Sequence, residues 1–245
     1  MNKKLSISII VLLVLSVGVN VWVLNTWKRP QRAVSVADID GTITTIERYL
    51  DSISTDYVAD ARALASEHNV PSWGCGPTSY ALAHIINEKF LDGAFPIKAA
   101  YDRNQPYQIV ERFGLATHNG ETGDHNWLEI YFQDKMLFID PTNGQFGGDP
   151  KIVYQVFTVG DPKLGKTLQD KYHIVDVRLS LLVPKVVNRI SVNQDPYPGL
   201  TIESDDLDYY LKALDVRNEV NDGIDPPEWK EWTDYLIGKY IHMEK

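Results

Sequence analysis

The chain has 245 residues, of which 44% are hydrophobic and 23% are charged, which is the composition of a globular protein with a core. Its net charge is −9, and the first 32 residues carry five basic and no acidic side chains. That leaves 19 basic against 33 acidic residues, or −14, for the remainder. A chain segment this acidic repels the phosphate backbone of nucleic acids. We therefore expect no nucleic-acid partner. The single cysteine excludes an intrachain disulfide and a multi-cysteine zinc site.

Residues 5–24 are uncharged, and 15 of these 20 residues are Leu, Ile, Val or Trp. A helix of this length rises about 30 Å, the thickness of a bilayer's hydrocarbon core. Trp22 and Trp27 lie near its far end, where interfacial aromatic residues are favoured. A cleaved signal peptide is the alternative, although no small-x-small site precedes Trp22 and the apolar run is long for a signal core. We therefore expect a membrane anchor over residues 1–28.

The charges around this stretch decide its orientation only weakly. Lys3 and Lys4 precede it, while Lys28, Arg29 and Arg32 follow it. The short N-terminal tail favours a cytoplasmic N-terminus. We therefore expect a single-pass membrane protein whose body is exported to a periplasmic or extracellular space.

Helices are predicted before strands. After a linker over residues 29–36, apolar residues three and four apart predict a helix over residues 38–67. A second helix is predicted from Cys75 to about Phe90, with Pro77 in its first turn. The apolar stripe of the first helix consists of Ile39, Ile43, Ile46, Leu50 and Ile53.

The pattern then changes to short runs rich in β-formers, which together with the helices indicates the α+β class. A polar, glycine-containing loop is predicted over residues 115–124, and a hairpin turn over residues 133–135. The predicted strands cover residues 107–113, 126–132, 136–139, 152–159 and 173–183.

The last 60 residues carry 13 acidic and six basic side chains. One amphipathic helix is predicted near residues 207–214. Another is predicted to start at Pro226-Pro227, with Trp229, Trp232, Leu236 and Tyr240 on one face. We interpret these aromatic residues as packing onto the core. The chain thus divides into an anchor over 1–28, a linker over 29–36, a main domain over 37–185 and an acidic helical extension over 186–245 that packs on it.

Cys75 lies in the sequence Ser-Trp-Gly-Cys-Gly-Pro-Thr, at the predicted start of the second helix. The free N–H groups and the dipole of a helix N-terminus favour the thiolate and can hold an oxyanion. The glycines on both sides leave space for a substrate to approach the sulfur. The alternative is a cysteine that acts as a small buried hydrophobe.

His125 opens a predicted strand whose alternation places it on one face with Trp127, Glu129 and Tyr131. There it can act as base and then as acid towards a sulfur on a neighbouring helix. Asp140 ends the next strand, where a carboxylate would orient the imidazole, although Asp-Pro is also an ordinary strand-ending turn. The competing histidines are His68, His84, His118, His173 and His242.

Cysteine at a helix start, His-x-Trp-x-Glu-x-Tyr, and Asp-Pro-Thr 15 residues after the histidine together resemble the transglutaminase-like superfamily of the papain-like group. The resemblance covers roughly residues 69–143. It implies a core in which a helix carrying Cys75 packs on an antiparallel sheet carrying His125 and Asp140, as nucleophile, general acid/base and orienting residue. It implies no metal and no cofactor. Trp73 and Trp127 match tryptophans common near such sites.

The Cys-Gly-Pro-Thr-Ser sequence also resembles leader-processing cysteine peptidases of the same group. Two points stay open. Papain-like peptidases have a glutamine six residues before the cysteine as an oxyanion donor, and here Asn69 takes that position. A hairpin turn centred on Asp134 pairs His125 with Asn143, so Asp140 can face His125 only with an earlier turn or a bulge, and otherwise Asn143 would orient the histidine.

These observations predict a membrane-anchored cysteine enzyme that attacks a peptide or carboxamide bond through a thioester on Cys75. Its substrate would be a peptide or protein. Hydrolysis is favoured over cross-linking by analogy alone. The alternatives are a non-catalytic exported domain that binds a partner through its acidic C-terminal part, and a thiol redox sensor, for which the chain has no resolving cysteine. The sequence does not indicate the oligomeric state.

Overall fold

The computed structural model describes residues 36–68, 70, 72–98, 101–118, 121–146, 150–176 and 227–243. Within them the chain forms an α+β fold, with four helices and a six-stranded mixed sheet. The helices are α1 (Ile39–Glu67), α2 (Cys75–Phe90), α3 (Leu164–Tyr172) and α4 (Pro227–Tyr240). The strands are β1 (Ile97–Lys98), β2 (Tyr107–His118), β3 (Glu121–Phe132), β4 (Lys135–Asp140), β5 (Val153–Thr158) and β6 (Ile174–Asp176).

The predicted anchor over residues 1–28, nearly all of the linker and the helix predicted near residues 207–214 lie outside the described residues. In the part of the chain that is described, no helix combines the length and the apolar character needed to cross a membrane.

Helix α1 covers the predicted residues because both its cap and its apolar stripe are encoded locally. The Asp38 carboxylate accepts a hydrogen bond of 2.8 Å from the backbone N–H of Gly41, which satisfies one free donor of the first turn. Ile46, Leu50 and Ile53 of the stripe are buried against the rest of the core. The prediction of this helix is confirmed.

Helix α2 begins at Cys75 and ends at Phe90, as predicted, and it packs between α1 and α4. The Tyr57 hydroxyl of α1 donates to the carbonyl of Thr78 at 2.7 Å, and the Tyr49 hydroxyl donates to the carbonyl of Tyr240 at 2.7 Å. Trp232, Leu236 and Tyr240 of α4 are fully buried. The C-terminal helix therefore forms part of the helical layer that supports α2.

The strand order in the sheet is β1-β2-β3-β4-β5, and β6 also pairs with β2. The expectation of an antiparallel sheet is wrong for one pair, because β1 runs parallel to β2. The other four pairings are antiparallel.

The loop predicted over residues 115–124 is wrong. Strands β2 and β3 pair without interruption from Tyr107 opposite Phe132 to His118 opposite Glu121. Backbone hydrogen bonds hold this ladder, and polar side chains do not interrupt them. The sequence between His118 and Glu121 is Asn-Gly, which is itself a strong hairpin signal. The long hairpin places His125 inside β3 rather than at its start.

Helix α3 was not among the predicted elements. Its signal in the sequence is the four-residue spacing of Leu164, Leu168 and Tyr172, all of which are buried. These residues join a hydrophobic cluster with Trp127 and Phe138 of the sheet. Helix α3 therefore covers the sheet face that carries the odd-numbered residues of β3. Of the strand predicted over residues 173–183, the structure shows β6.

Behind His125, the same face of β3 carries a buried charged network. One Glu129 oxygen accepts hydrogen bonds from Arg112 Nε at 2.6 Å and from the Tyr131 hydroxyl at 2.5 Å. The other accepts from Trp127 Nε1 at 3.0 Å. Arg112 and Glu129 are both fully buried, so each charge depends on the other for compensation.

We expect Arg112→Met to lower the free energy of unfolding by about 3–5 kcal/mol, because it leaves the Glu129 carboxylate buried without its counter-charge. Arg112→Met/Glu129→Gln removes both charges and keeps one oxygen that accepts from Trp127, while the amide nitrogen can donate to the Tyr131 hydroxyl, so its loss should be smaller. Urea unfolding measures both variants.

Lys166→Ala is the matched control, since it breaks an exposed ion pair with Asp170 and should cost less than about 1 kcal/mol. If Arg112→Met/Glu129→Gln were as unstable as Arg112→Met, the unpaired charge of Glu129 would not be the cause of the destabilisation.

Candidate active site

Cys75 is the first residue of α2, and the chain reaches it through two residues with left-handed backbone conformation. Trp73 has a φ of 53° and Gly74 a φ of 54°. For a tryptophan this conformation is strained, and strain of this kind is concentrated at functional sites. The turn presents Cys75, which is partly exposed, at the N-terminus of the helix, beside backbone N–H groups that have no partner within the helix.

The glycines around Cys75 accommodate tryptophans of α4. A Cβ atom on Gly74 would lie 2.2 Å from the Trp232 ring, and one on Gly76 would lie 3.3 Å from the Trp229 ring. The sequence predicts that these glycines leave space for a substrate. In the structure, Trp232 fills the position of a Cβ at Gly74, and Trp229 lies in van der Waals contact with that position at Gly76. Helix α4 therefore forms one wall of the site.

His125 and Asp140 are in direct contact. The distance from His125 Nε2 to Asp140 Oδ2 is 2.7 Å, and both side chains are fully buried. Because an ionised carboxylate can only accept, Nε2 carries the proton and donates it to Asp140. This contact fixes the tautomer and the plane of the imidazole ring.

The register of the β3–β4 hairpin explains why Asp140 reaches His125. The strands pair across a two-residue turn, from Phe132 opposite Lys135 onward, so the centre of the turn lies half a residue earlier than expected. If this register is extended, Thr142 lies opposite His125, and Asp140 lies two positions from Thr142. A turn centred on Asp134 would have placed Asp140 three positions from the residue opposite His125. A side chain two positions away lies on the same face of the sheet, within diagonal reach.

Asn143, the other candidate for orienting His125, contacts Asp140. Its amide nitrogen lies 3.3 Å from Asp140 Oδ2 and donates to the carbonyl of Tyr172 at 2.8 Å. The backbone N–H of Thr142 donates to the other Asp140 oxygen at 2.9 Å. Asn143 and Thr142 therefore hold the carboxylate in the position from which it binds His125.

Cys75 lies close enough to His125 for its side chain to act on the pKa of the imidazole. Complete burial works to lower the pKa of His125, but the Asp140 carboxylate and the Cys75 side chain outweigh burial and raise that pKa to about 9. The three residues chosen from the sequence therefore come together in the order thiol, imidazole, carboxylate. This order allows the imidazole to take a proton from the thiol and to return it.

The remaining predicted site residues have separate positions. Trp127 lies beside the histidine, with ring centroids 6.0 Å apart, and is buried. Trp73 lies two residues before Cys75, and the Arg62 guanidinium carbon lies over its ring, 4.6 Å from the centroid. Asn69 lies outside the described residues.

Two polar residues at the site are not among the residues predicted from the sequence. The Gln145 amide nitrogen lies 2.9 Å from His125 Nδ1, and Asn126 Oδ1 lies 3.9 Å from the Cys75 sulfur. The Asn126 amide also donates to Glu111 at 3.0 Å. Strand alternation points Asn126 to the α2 side of the sheet, which the sequence could have shown. Gln145 reaches the histidine from the 3-10 turn over Asn143–Phe146, whose path only the fold defines.

No protein-family model, no curated protein and no solved structure matches this chain. Among the described residues, no group of His, Cys, Asp and Glu is arranged to hold a metal ion.

The raised pKa of His125 predicts a pH dependence of stability. An unfolded histidine titrates near 6.5 and folded His125 near 9, so between these values the folded state binds more protons. The stabilisation is complete below about pH 6.5 and is lost as the pH rises through about 9, by up to about 3 kcal/mol. Urea unfolding at several pH values measures it. His125→Gln should remove this part of the slope, and an identical slope in that variant would contradict the assignment.

Proposed function

We propose that this chain is a cysteine-dependent acyl-transfer enzyme of the transglutaminase-like, papain-like type, acting on a peptide or carboxamide bond of a peptide or protein. The observation that supports it most is the buried His125–Asp140 pair at 2.7 Å, with the Cys75 thiol near enough to raise the pKa of the imidazole. A partly exposed thiol, a buried imidazole and a buried carboxylate in this order are the requirements of a thiol nucleophile with its base.

In the proposed reaction, His125 takes the proton of the Cys75 thiol, and the thiolate attacks the carbonyl carbon of the substrate. Asp140 holds Nε2, so Nδ1 is the ring nitrogen that receives this proton. The carbonyl oxygen becomes an oxyanion, for which the unpaired N–H groups of the first turn of α2 are the nearest donors on this helix.

The tetrahedral intermediate then collapses. The carbon–nitrogen bond breaks, the Nδ1 proton passes to the departing amine, and a thioester remains on Cys75. Neutral His125 next removes a proton from water, which attacks the thioester and releases a carboxylic acid. An amine in place of water would give a new amide, and we favour hydrolysis because water needs no second binding site.

We further propose that residues 1–28 anchor the enzyme in a membrane and that its body is exported. The uncharged stretch over residues 5–24 and the interfacial tryptophans support this part of the proposal.

The pH dependence of Cys75 alkylation by iodoacetamide tests the thiol–imidazole pair. In the full-length chain in detergent we expect the thiolate to titrate well below the free value of about 8.5. His125→Ala should move that titration upward and lower the rate at pH 6 by at least about tenfold, since one pKa unit is tenfold in thiolate. Asp140→Asn should have the same direction and a smaller size. His84→Ala is the matched control, because His84 lies on α2 and not beside the thiol pair. It should change the titration and the alkylation rate of Cys75 little.

The acyl-transfer step is tested with p-nitrophenyl acetate. One equivalent of nitrophenolate should be released in a burst, with an acetyl group found on Cys75 by mass spectrometry, and Cys75→Ala should abolish both. A thiol with an ordinary pKa that is insensitive to His125→Ala, or a reactive thiol that never becomes acylated, would contradict the proposal. The first result would favour a binding domain.

A further inference from the structure

Gln145 occupies the second ring nitrogen of His125. Its Nε2 lies 2.9 Å from His125 Nδ1, while Asp140 holds the other nitrogen at 2.7 Å. Gln145 comes from the 3-10 turn over Asn143–Phe146, which follows directly after β4. The imidazole is thus held from two sides, by a carboxylate and by an amide, and the Cys75 thiol lies near it as well.

The direction of the Gln145 contact depends on the charge of the ring. Neutral His125 gives its only proton to Asp140, so Nδ1 has a lone pair that accepts from an N–H of the Gln145 amide. Imidazolium carries a proton on Nδ1 as well, and then an amide N–H opposite it is a contact between two donors. The orientation with Nε2 towards the ring therefore suits the neutral form alone.

The other end of the Gln145 amide is the second observation. Its Oε1 is buried, and no group among the described residues hydrogen-bonds to it. Buried polar atoms without partners are rare and require an explanation. The terminal torsion of glutamine is broad and roughly two-fold, so a half-turn exchanges Oε1 and Nε2 in almost the same space. After that half-turn Oε1 faces Nδ1 and can accept its proton.

Among the described groups named at the ring, Gln145 alone can bond both forms of the imidazole without itself gaining or losing a proton, since the Cys75 sulfur does so only by exchanging the Nδ1 proton. The titratable groups that face His125 are Asp140 from β4 and Cys75 from α2. Asp140 accepts in both charge states. Glu129, on the same face of β3, is engaged by Arg112 and Tyr131. A side chain that only donates would oppose imidazolium, and one that only accepts would oppose neutral imidazole.

We propose that Gln145 is a positioning residue for His125 whose amide turns over with each change of charge at Nδ1, donating to the neutral ring and accepting from the imidazolium. Because the proposed acyl transfer alternates these two forms, the inference deepens that function. Gln145 keeps the ring in one plane throughout the cycle, beside the thiol, in both charge states.

The test titrates the imidazole nitrogens of His125 by NMR, in full-length chains with Cys75→Ala, so that it reports on the ring whether or not the chain is an enzyme. Gln145→Met keeps the length of the side chain and removes both hydrogen-bonding roles. We expect the pKa of His125 to fall by about one unit or less, because both ring forms lose a bond and the charge-assisted bond of the imidazolium is the stronger of the two. The side-chain N–H signals of Gln145, assigned by their absence in this variant, should shift together with the titration of His125.

Gln145→Glu keeps the acceptor and adds a charge beside Nδ1. We expect it to raise the pKa of His125 by about one unit or more, since a nearby carboxylate favours imidazolium. Gln133→Met, at the opposite end of β3, is the matched control and should leave the ring unchanged. With Cys75 intact, Gln145→Met should slow alkylation near pH 7 about fivefold, the scale of one hydrogen bond, and Gln145→Glu should change the pH profile instead.

Three results would overturn the inference. A rise of about a unit in Gln145→Met would show an amide that only donates, and a fall of about two units or more would show one that only accepts. An unchanged pKa in Gln145→Glu would show that residue 145 does not face Nδ1. An unreactive Cys75, or the absence of an acylation burst, in the chain without substitutions would instead count against the proposed function. The titration of the His125 ring would still be interpretable in that case.

Discussion

The hydrogen bond between His125 and Asp140 depends on a single constraint, the register of the β3–β4 hairpin. A turn of two residues places Asp140 on the same face as His125, and a shift of one residue would place it on the opposite face. Everything else at the site is arranged around this pair. Thr142 and Asn143 hold the carboxylate, Gln145 holds the second ring nitrogen, and the thiol of α2 meets the imidazole there.

Two layers keep this constraint in place. On one face of the sheet, α3 and the buried Arg112–Glu129 pair surround the odd-numbered side chains of β3. On the other side, α2 is packed between α1 and α4, and the tryptophans of α4 press against the glycines that flank Cys75. The position of Cys75 thus depends on residues more than 150 positions away in the chain, because Gly74 has no Cβ and leaves room for the Trp232 ring.

Local signals predicted a large part of this structure. The cap and the stripe of α1, the start of α2 at Cys75 and the short β-rich runs are properties of neighbouring residues, so they are visible without the fold. The prediction of a loop at residues 115–124 is wrong because polar side chains do not prevent strand pairing, which depends on the backbone. Helix α3 was missed because it has only nine residues and few apolar ones.

The sequence by itself determined which chemistry the chain carries: one thiol at a helix start, a histidine in a strand, and an aspartate that ends the next strand. It also determined the α+β class, since periodicity is a local property. Only the tertiary structure decided that Asp140 binds His125 and that Asn143 supports the carboxylate, because half a residue in a turn changes the face on which a side chain lies. It alone brought Gln145 and Trp232 to the site, since contacts between distant segments depend on packing, for which no local pattern exists.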